Sequence, residues 1–359
     1  MKKVVIIFLA AVFMLAMYVP VSAADWNIYG SARVQTFWQD FDEDVDRAWA
    51  DTTQFTHSLN VVSRFGLMVD HGIVGGHFET GVTPTNVVTR HLYGTVDMPF
   101  GDLLIGQTWT LYGEKCFVSC QTYLADDSML WFVGYGHRRP QVRLTIEDFA
   151  IALVEPQRVG FGVDEDGDPI VGANDSEVLL PQVQLGFEKT INDIYLSAVG
   201  AFQTYDLYDP AQAWDGETLT AWGVTVSAMF NIIDPMYINL AGFYGQNTLH
   251  LGDIYSRYGA EIDGDSIEDT DDYGGLLAIG TFINDIEVQA GVGFTESDND
   301  MWAEKDQMMA YYINANIPIS PDGRAFIMPE VGYFDFDDDR AGNDAGSEFY
   351  AGLKWQVNF

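Results

Sequence analysis

The last thirteen residues, SEFYAGLKWQVNF from Ser347 to Phe359, alternate between two kinds of side chain. The positions between the apolar ones hold Tyr, Gly, Lys, Gln and Asn; the apolar row itself is Phe349, Ala351, Leu353, Trp355, Val357 and Phe359. A strand shows a period of two when its two faces meet different surroundings. This stretch therefore predicts a β-strand with one oily face and one polar face.

Residues 26–38 repeat this pattern near the other end of the chain, with Trp26, Ile28 and Val34 in the apolar row and Asn27 and Arg33 in the polar row. A sheet edge left open in lipid would leave backbone N–H and C=O groups without hydrogen-bond partners, and each such group costs several kcal/mol of free energy. A sheet in a bilayer must therefore close on itself. We expect the first and the last strand to pair.

The N-terminus has the three parts of a secretory signal peptide: Lys2 and Lys3, an apolar run over residues 4–18, and a small-x-small site ending at Ala23. Cleavage after Ala23 would make residues 1–23 a signal peptide and residues 24–359 a single domain. A retained membrane helix is the alternative, but the apolar run is shorter than the ~20 residues that a bilayer requires.

Composition favours an exported all-β protein that does not bind nucleic acid. The chain has 53 acidic and 17 basic residues, a formal net charge of −36, which excludes nucleic acid as a partner. Its 35 glycines and 14% aromatic residues, without any long helical periodicity, favour strands. A soluble β-sandwich is the alternative to a barrel.

Sixteen strands of about ten residues can be traced, with short turns at one end and longer, acidic loops at the other. The predicted strands span residues 26–38, 55–69, 73–83, 87–98, 102–109, 138–147, 149–156, 178–189, 194–207, 218–232, 236–249, 272–283, 286–296, 306–319, 324–336 and 347–359. This layout is typical of a transmembrane, antiparallel, up-and-down β-barrel, with 14 or 18 strands as alternatives. A barrel of this size leaves a water-filled lumen. Girdle aromatics are expected at Trp26, Trp38, Tyr237, Tyr312, Trp355 and Phe359.

Two features of the loops bear on disulfides and metals. Cys116 and Cys120, the only cysteines, are either a disulfide or free thiols. Asp164, Asp166 and Asp168 resemble half a calcium loop but lack the glutamate at its twelfth position. A solvated loop is the better interpretation than Ca²⁺ or Mg²⁺ binding at the acidic loops, and no other cofactor is expected.

Eight of the eleven arginines fall between Arg33 and Arg158, although the chain is strongly acidic. An arginine facing lipid near the bilayer midplane would cost roughly 2–4 kcal/mol, so these side chains should point inward or lie at a rim. Alternation places four on the polar face and leaves Arg90 open: Arg33, Arg64, Arg139 and Arg143. Such arginines either guide anions or merely neutralise nearby acids. His77 and Glu79 should share the lumen face, with no catalytic role expected.

Three stretches resemble a known family, the sixteen-stranded trimeric porins of bacteria, in particular the dicarboxylate-specific branch. They are GDLLIGQTWT at 101–110, RPQVRLT at 139–145 and the terminal Phe359, which is similar to the signal that barrel-assembly machinery reads. The resemblance implies a homotrimer and a third loop, residues 110–137, that folds into the lumen. It also implies a constriction between acids on that loop and arginines on the wall: Glu114, Asp126 and Asp127 against Arg33, Arg64, Arg90, Arg139 and Arg143.

The leading hypothesis is an outer-membrane porin for passive diffusion of small hydrophilic solutes, with anions favoured at the constriction. The N-terminus would be periplasmic, and the long loops would be extracellular, near lipopolysaccharide. A second class is enzymatic and would use the loop residue His250, but no G-x-S-x-G motif accompanies it. A third is a structural or partner-binding barrel whose acidic surface loops bind cations. The sequence gives neither the solute nor the gating.

Overall fold

The structure is a computed structural model, and it describes residues 24–42, 45, 50–82, 85–115, 137–163, 169–210, 212–252 and 258–359. The predicted signal peptide lies outside the described residues. Within them, no helix is both long enough and apolar enough to cross a membrane.

Antiparallel strands dominate the described chain, and each long strand pairs with its neighbours in sequence. Two short helical segments occur within the described residues, α1 at Leu111–Lys115 and a 3-10 turn at Thr248–Leu251. The strands are β1 Asp25–Phe41, β2 Thr52–Leu59, β3 Arg64–His71, β4 Val74–Val82, β5 Val87–Met98, β6 Gly101–Trp109, β7 Arg138–Ile146, β8 Phe149–Val154, β9 Phe161–Val163, β10 Pro169–Val171, β11 Ser176–Glu177, β12 Gln182–Ile191, β13 Ile194–Leu207, β14 Thr218–Ile233, β15 Met236–Gln246, β16 Glu261–Asp263, β17 Ser266–Glu268, β18 Asp271–Ile283, β19 Ile286–Asp298, β20 Asp306–Pro318, β21 Ala325–Asp335 and β22 Ser347–Asn358.

The first and last strands close the barrel, as the sequence predicts. β1 and β22 pair from Ser31 opposite Asn358 to Phe41 opposite Glu348. Beyond that ladder, the Gly30 N–H donates to the Phe359 carbonyl at 2.8 Å and the Phe359 N–H donates back at 3.0 Å. Counted around the barrel, the wall is sixteen strands wide, because β2 and β3 together occupy the place of one strand, as do β11 and β12. The predicted strand number and the up-and-down topology are confirmed.

The predicted strand over 55–69 is interrupted, which the alternation did not indicate. β2 pairs with residues 34–41 of β1, and β3 pairs with residues 25–31. The break between β2 and β3 contains the polar residues Asn60 and Ser63. The buried Asn60 side chain donates to Gln35 at 3.0 Å and accepts from the Val62 N–H at 2.9 Å. The Ser63 hydroxyl bonds the N–H and the carbonyl of Arg33, each at 3.1 Å. These bonds replace the missing ladder bonds.

Two further predictions of strand extent were wrong. The predicted strand over 178–189 begins only at Gln182. The short strand β11 pairs with the C-terminal end of β13 and continues the line of β12 on its N-terminal side. Two predicted loops also contain hairpins, β9 with β10 and β16 with β17. These pairs are too short for a pattern of period two to indicate them.

The outer face is apolar, but two of the predicted girdle residues do not lie on it. Trp26, Trp38, Trp355 and Phe359 are exposed on the outer face near strand ends. Tyr237 and Tyr312 instead point inward, where both bond Gln289: its amide donates to the Tyr237 hydroxyl at 3.0 Å, and its side-chain oxygen accepts from Tyr312. Tyr312 follows another tyrosine, Tyr311, so the residue type alone could not tell which of the pair faces outward.

Part of the interior is apolar, although a polar inner face was expected. Loop residues fold inward and pack on the inner faces of β8 and β13–β15, where the inward rows hold small or apolar side chains. The cluster comprises Leu111, Tyr112, Ala150, Ala152, Val154, Phe161, Val171, Val199, Ala201, Tyr205, Leu207, Trp214, Leu219, Ala221, Phe243, Leu251 and Ala260. Burying this surface stabilises the infolded loops by the hydrophobic effect. The most strongly charged part of the inner face lies on β1–β7.

Candidate pore lining

Four arginines lie on the inner face of the wall, as the alternation predicts. Arg33 on β1, Arg64 on β3, and Arg139 and Arg143 on β7 all alternate with residues exposed on the outer face, such as Val142. Together they form part of an arc of positive charge inside the barrel.

Arg90 joins the arc because of a β-bulge. The register of β4 and β5 shifts, so that Glu79 is opposite His91 while Thr80 is opposite Thr89, and Arg90 is the extra residue. A bulge changes the direction of neighbouring side chains. Both Arg90 and His91 are therefore buried beside Glu79, although they are adjacent in sequence. This break in the alternation explains why the sequence left the face of Arg90 open.

Glu79 is the centre of this part of the wall. Its Oε1 accepts from the Arg90 Nε at 2.6 Å, and its Oε2 accepts from the Tyr29 hydroxyl at 2.7 Å. The Arg64 Nη1 lies 3.9 Å from Oε2, and the His91 Nε2 lies 3.7 Å from Oε1. The carboxylate is thus surrounded by side chains from β1, β3 and β5, with only 3% of its side chain exposed.

Two histidines extend the network along β4 and β5. The Tyr29 hydroxyl donates to Glu79, so it accepts from the His77 Nε2 at 2.5 Å, and the His77 Nδ1 then accepts from the Tyr93 hydroxyl at 3.1 Å. The His77 and His91 rings stack with centroids 4.9 Å apart and planes 9° apart. The predicted sharing of the lumen face by His77 and Glu79 agrees with this arrangement.

The third loop begins by crossing the interior. The Leu111 N–H donates to the Gln184 side chain at 3.0 Å, and the Tyr112 hydroxyl donates to the Gly223 carbonyl at 2.8 Å. These bonds carry α1 from β6 to the opposite side, at β12 and β14. On α1, Glu114 forms an ion pair with Arg143. The structure therefore brings together one of the predicted acids and one of the predicted arginines.

Arg139 differs from the other four arginines in what it holds. Its guanidinium donates to the carbonyls of Glu155 and Leu251, each at 2.9 Å, and to the Gln182 side chain at 2.6 Å. Because Leu251 belongs to the infolded 3-10 turn, Arg139 ties this turn to the wall. Its partners match the alternative in which an arginine orders the wall.

Sequence reasoning missed two charged residues on β21 and β22, the strands that continue the wall beyond β1. Lys354 on β22 is opposite Gln35 in the ladder with β1 and is almost fully buried on the inner face. Glu330 on β21 is buried as well and accepts from Asn314 at 2.9 Å and from the Tyr350 hydroxyl at 3.1 Å. The alternation that identified the inward arginines would have identified both.

No protein-family model and no curated protein sequence matches the chain. Among solved structures, the outer membrane channel DcaP of Acinetobacter baumannii is similar at 21% identity and a TM-score of 0.70, over 94% of this chain and 98% of that one. An anion-selective porin from Comamonas acidovorans is 12% identical with a TM-score of 0.62, over 94% and 100% of the two chains. OmpT of Vibrio cholerae in its trimer form is 14% identical with a TM-score of 0.59, again over 94% and 100%.

The chain has the porin fold. The likeness to sixteen-stranded porins at residues 101–110 and 139–145 and at Phe359 extends, at the level of the backbone, over 94% of the chain. At these identities the likeness shows the fold alone.

Several predicted residues of this porin fold lie outside the described residues. They are Cys116, Cys120, Asp126, Asp127, Asp164, Asp166 and Asp168. Within the part of the chain that is described, no three His, Cys, Asp or Glu side chains form a group that could hold a metal ion. One acidic residue of the loops has a different role: hydrogen bonds, first from the backbone N–H of Asn343, hold the pKa of the Asp339 carboxyl below its usual value.

His250, the loop histidine considered for catalysis, is buried in the porin fold. Its Nδ1 lies 2.6 Å from the Tyr205 hydroxyl, and its ring meets that of Phe161 edge to face at 4.8 Å. It has no exposed surface and belongs to the infolded loops. The side chain is therefore placed to stabilise the loop rather than to meet a substrate at the rim.

Proposed function

We propose that this protein is an outer-membrane porin that lets small hydrophilic solutes diffuse passively through its barrel and favours anions at the narrowest part. One observation carries the proposal: cationic side chains form an arc on the inner face of a closed barrel whose outer face is apolar. They are Arg33, Arg64, Arg90, Arg143 and Lys354.

The apolar outer face supports a place in a bilayer. Large apolar side chains are exposed around the barrel, between tryptophans near the strand ends such as Trp26 and Trp38. A soluble protein would expose far less contiguous apolar surface. The signal-peptide pattern supports export to the bacterial outer membrane, with the chain termini and short turns periplasmic and the long loops extracellular.

The preference for anions follows from distance. The acidic loops carry most of the net charge, but salt screens exposed charges over about 8–10 Å. A solute inside the barrel is close to Arg33 and Arg64, whose guanidinium groups bind carboxylate and phosphate oxygens well and keep their charge at any physiological pH. The likeness to a porin described as anion-selective agrees with this assignment.

A homotrimer is part of the proposal. The outer faces of β1–β6 carry polar side chains among the apolar ones, and such a mixed surface suits contact with protein better than contact with lipid: Thr36, His57, Thr80, Thr89 and Gln107. The outward rows of β12–β15 at similar heights hold residues such as Leu185, Val224 and Leu240. This asymmetry, together with the trimer form of a similar barrel, supports β1–β6 as the face between protomers.

The reversal potential of the purified protein in a planar bilayer across a potassium chloride gradient tests the function. We expect chloride to permeate better than potassium, and Arg64→Ala to lower the chloride-to-potassium permeability ratio roughly two- to fivefold, since one unit charge near the ion is removed. Arg324→Ala, at an exposed turn, is the matched control and should leave the ratio unchanged. Absence of conductance, or a preference of the wild type for potassium, would contradict the proposal.

A further inference from the structure

Arg64 and Arg90 both approach Glu79, but they differ in distance and exposure. The Arg90 Nε is 2.6 Å from the carboxylate, and 7% of its side chain is exposed. The Arg64 Nη1 is 3.9 Å away, and 26% of its side chain is exposed. Arg90 is therefore held against the wall, whereas Arg64 is also open to the lumen.

The contact with Glu79 decides how much Arg90 contributes to the positive electrostatic potential in the lumen. An ion pair in direct contact is close to neutral for a solute several ångströms away, because the two potentials nearly cancel. The contact of Glu79 with Arg90 removes one positive charge from the arc without removing the side chain.

We propose that Glu79 is a specificity-determining residue: it neutralises Arg90 as a wall-bound counter-ion, so that this arginine adds little to the electrostatic potential that a permeating anion meets. The inference rests on the proposed channel function and deepens it. It removes Arg90 from the five arginines that the sequence assigned to the constriction, because the charge of Arg90 is balanced by Glu79 and does not act on the solute.

The β-bulge makes this arrangement available. Without the extra residue, either Arg90 or His91 would face the outer wall, where an arginine would be costly against lipid. The Tyr29 hydroxyl fixes the second oxygen of Glu79 at 2.7 Å, so the carboxylate is held from β1 as well as from β5. The ion pair is therefore part of a rigid wall and not a mobile surface contact.

A pair of opposite charge changes tests the inference, with the reversal potential as the readout. Glu79→Gln leaves Arg90 without its counter-charge, and we expect the chloride-to-potassium permeability ratio to rise roughly two- to fivefold. Arg90→Gln leaves Glu79 in excess, and the ratio should fall by a similar factor. The double variant, Glu79→Gln with Arg90→Gln, should return to within about twofold of the wild type, because its net charge is unchanged.

Opposite signs distinguish this role from a merely structural one, since a loosened wall would move both single variants the same way. Glu79→Asp and Arg90→Lys keep the charges and should stay close to wild-type selectivity; they also provide the comparison if a neutral variant does not fold. Heat-dependent gel mobility verifies the folded barrel in each case. A non-conducting wild type would overturn the channel, whereas a conducting wild type with unchanged or parallel shifts overturns only the assignment of Glu79.

Discussion

At the scale of single residues, burial determines the chemistry of His250. The Ala260 N–H points at its Nε2 at 3.4 Å, so Nε2 accepts and Nδ1 carries the proton that is donated to the Tyr205 hydroxyl. Both bonds suit the neutral imidazole. Burial lowers the pKa of His250 from 6.5 to about 3, because the cation would lose its hydration.

The infolded 3-10 turn should therefore loosen in acid. The unfolded turn takes up a proton below pH 6.5 and the folded turn only near pH 3, so its stability is complete above pH 6.5 and falls as the pH drops through this window. At pH 5 the loss is about 2 kcal/mol. Hydrogen exchange of Thr248–Leu251, corrected for intrinsic rates, should be faster at pH 5 than at pH 8. His250→Asn, which does not titrate, is the control, and equal protection of the wild type at both pH values would contradict the prediction.

The inward arginines show what residue-level reasoning could and could not predict. Arg33, Arg64 and Arg143 follow the strict alternation of their strands, and the sequence placed them on the inner face. Arg90 follows a bulge, which depends on the partner strand and so leaves no mark in the sequence of β5 alone. Lys354 lies in the polar row of the last strand, outside the segment in which the arginines are concentrated.

At the scale of elements, α1 determines how the third loop enters the barrel. A five-residue helix is too short to be stable by itself, and tertiary contacts hold it. Leu111 and Tyr112 are fully buried in the apolar cluster, while Glu114 at the other end meets Arg143. One face of α1 is thus anchored in the apolar half of the interior and the other faces the basic arc.

Removing the tyrosine hydroxyl should loosen this anchor. Tyr112→Phe keeps the ring but leaves the buried Gly223 carbonyl without the 2.8 Å bond, at a cost of about 1–3 kcal/mol. We expect a folded barrel with larger open-channel current noise in single-channel recordings, since α1 is held less firmly. Tyr244→Phe, whose hydroxyl lies on the exposed outer face of β15, is the matched control. Noise that is equal in both variants would show that the hydroxyl does not position the loop.

Strand existence could be predicted from the sequence better than strand continuity. Alternation identifies the wall strands because inside and outside differ in polarity over most of the wall. The interruption at Asn60 preserves that polarity: Asn60 faces inward like its polar neighbours, and its role appears only in its bonds to Gln35 and Val62. Side-chain bonds that replace ladder bonds are tertiary information.

At the scale of the whole molecule, two outward glycines on opposite walls offer a matched test of the protomer interface. A Cβ added at Gly76 on β4 would come no closer than 3.9 Å to any other part of the chain, and one added at Gly200 on β13 no closer than 3.8 Å. Each monomer therefore tolerates a side chain at either place. Only contacts between protomers can distinguish them.

We expect Gly76→Trp to abolish the trimer and Gly200→Trp to retain it, since β4 belongs to the proposed interface and β13 to the lipid-facing wall. Light scattering on size-exclusion peaks in detergent measures the mass, and heat-dependent gel mobility confirms that both monomers are folded. A trimer in both variants, or the reverse result, would place the interface elsewhere.

The apolar interior could not be predicted because it depends on which loops fold inward. Val199 and Ala201 on β13 alternate with the outward Ala198, Gly200 and Phe202, so this strand has no polar face at that height. Such a stretch is ambiguous until its partners are known. The partners are loop residues such as Leu111, Phe161 and Leu251, far away in sequence.

The reciprocal bonds between Gly30 and Phe359 have a consequence for biogenesis. The two residues that complete the ring lie far apart in the sequence, so synthesis has to reach Phe359 before any copy of the barrel can close. Until then, one edge of β1 has no partner strand, and a contact between residues so far apart in sequence forms slowly. In the proposed outer-membrane location, the polypeptide must therefore arrive with this seam still open, and a chain lacking its last few residues could not form these two bonds.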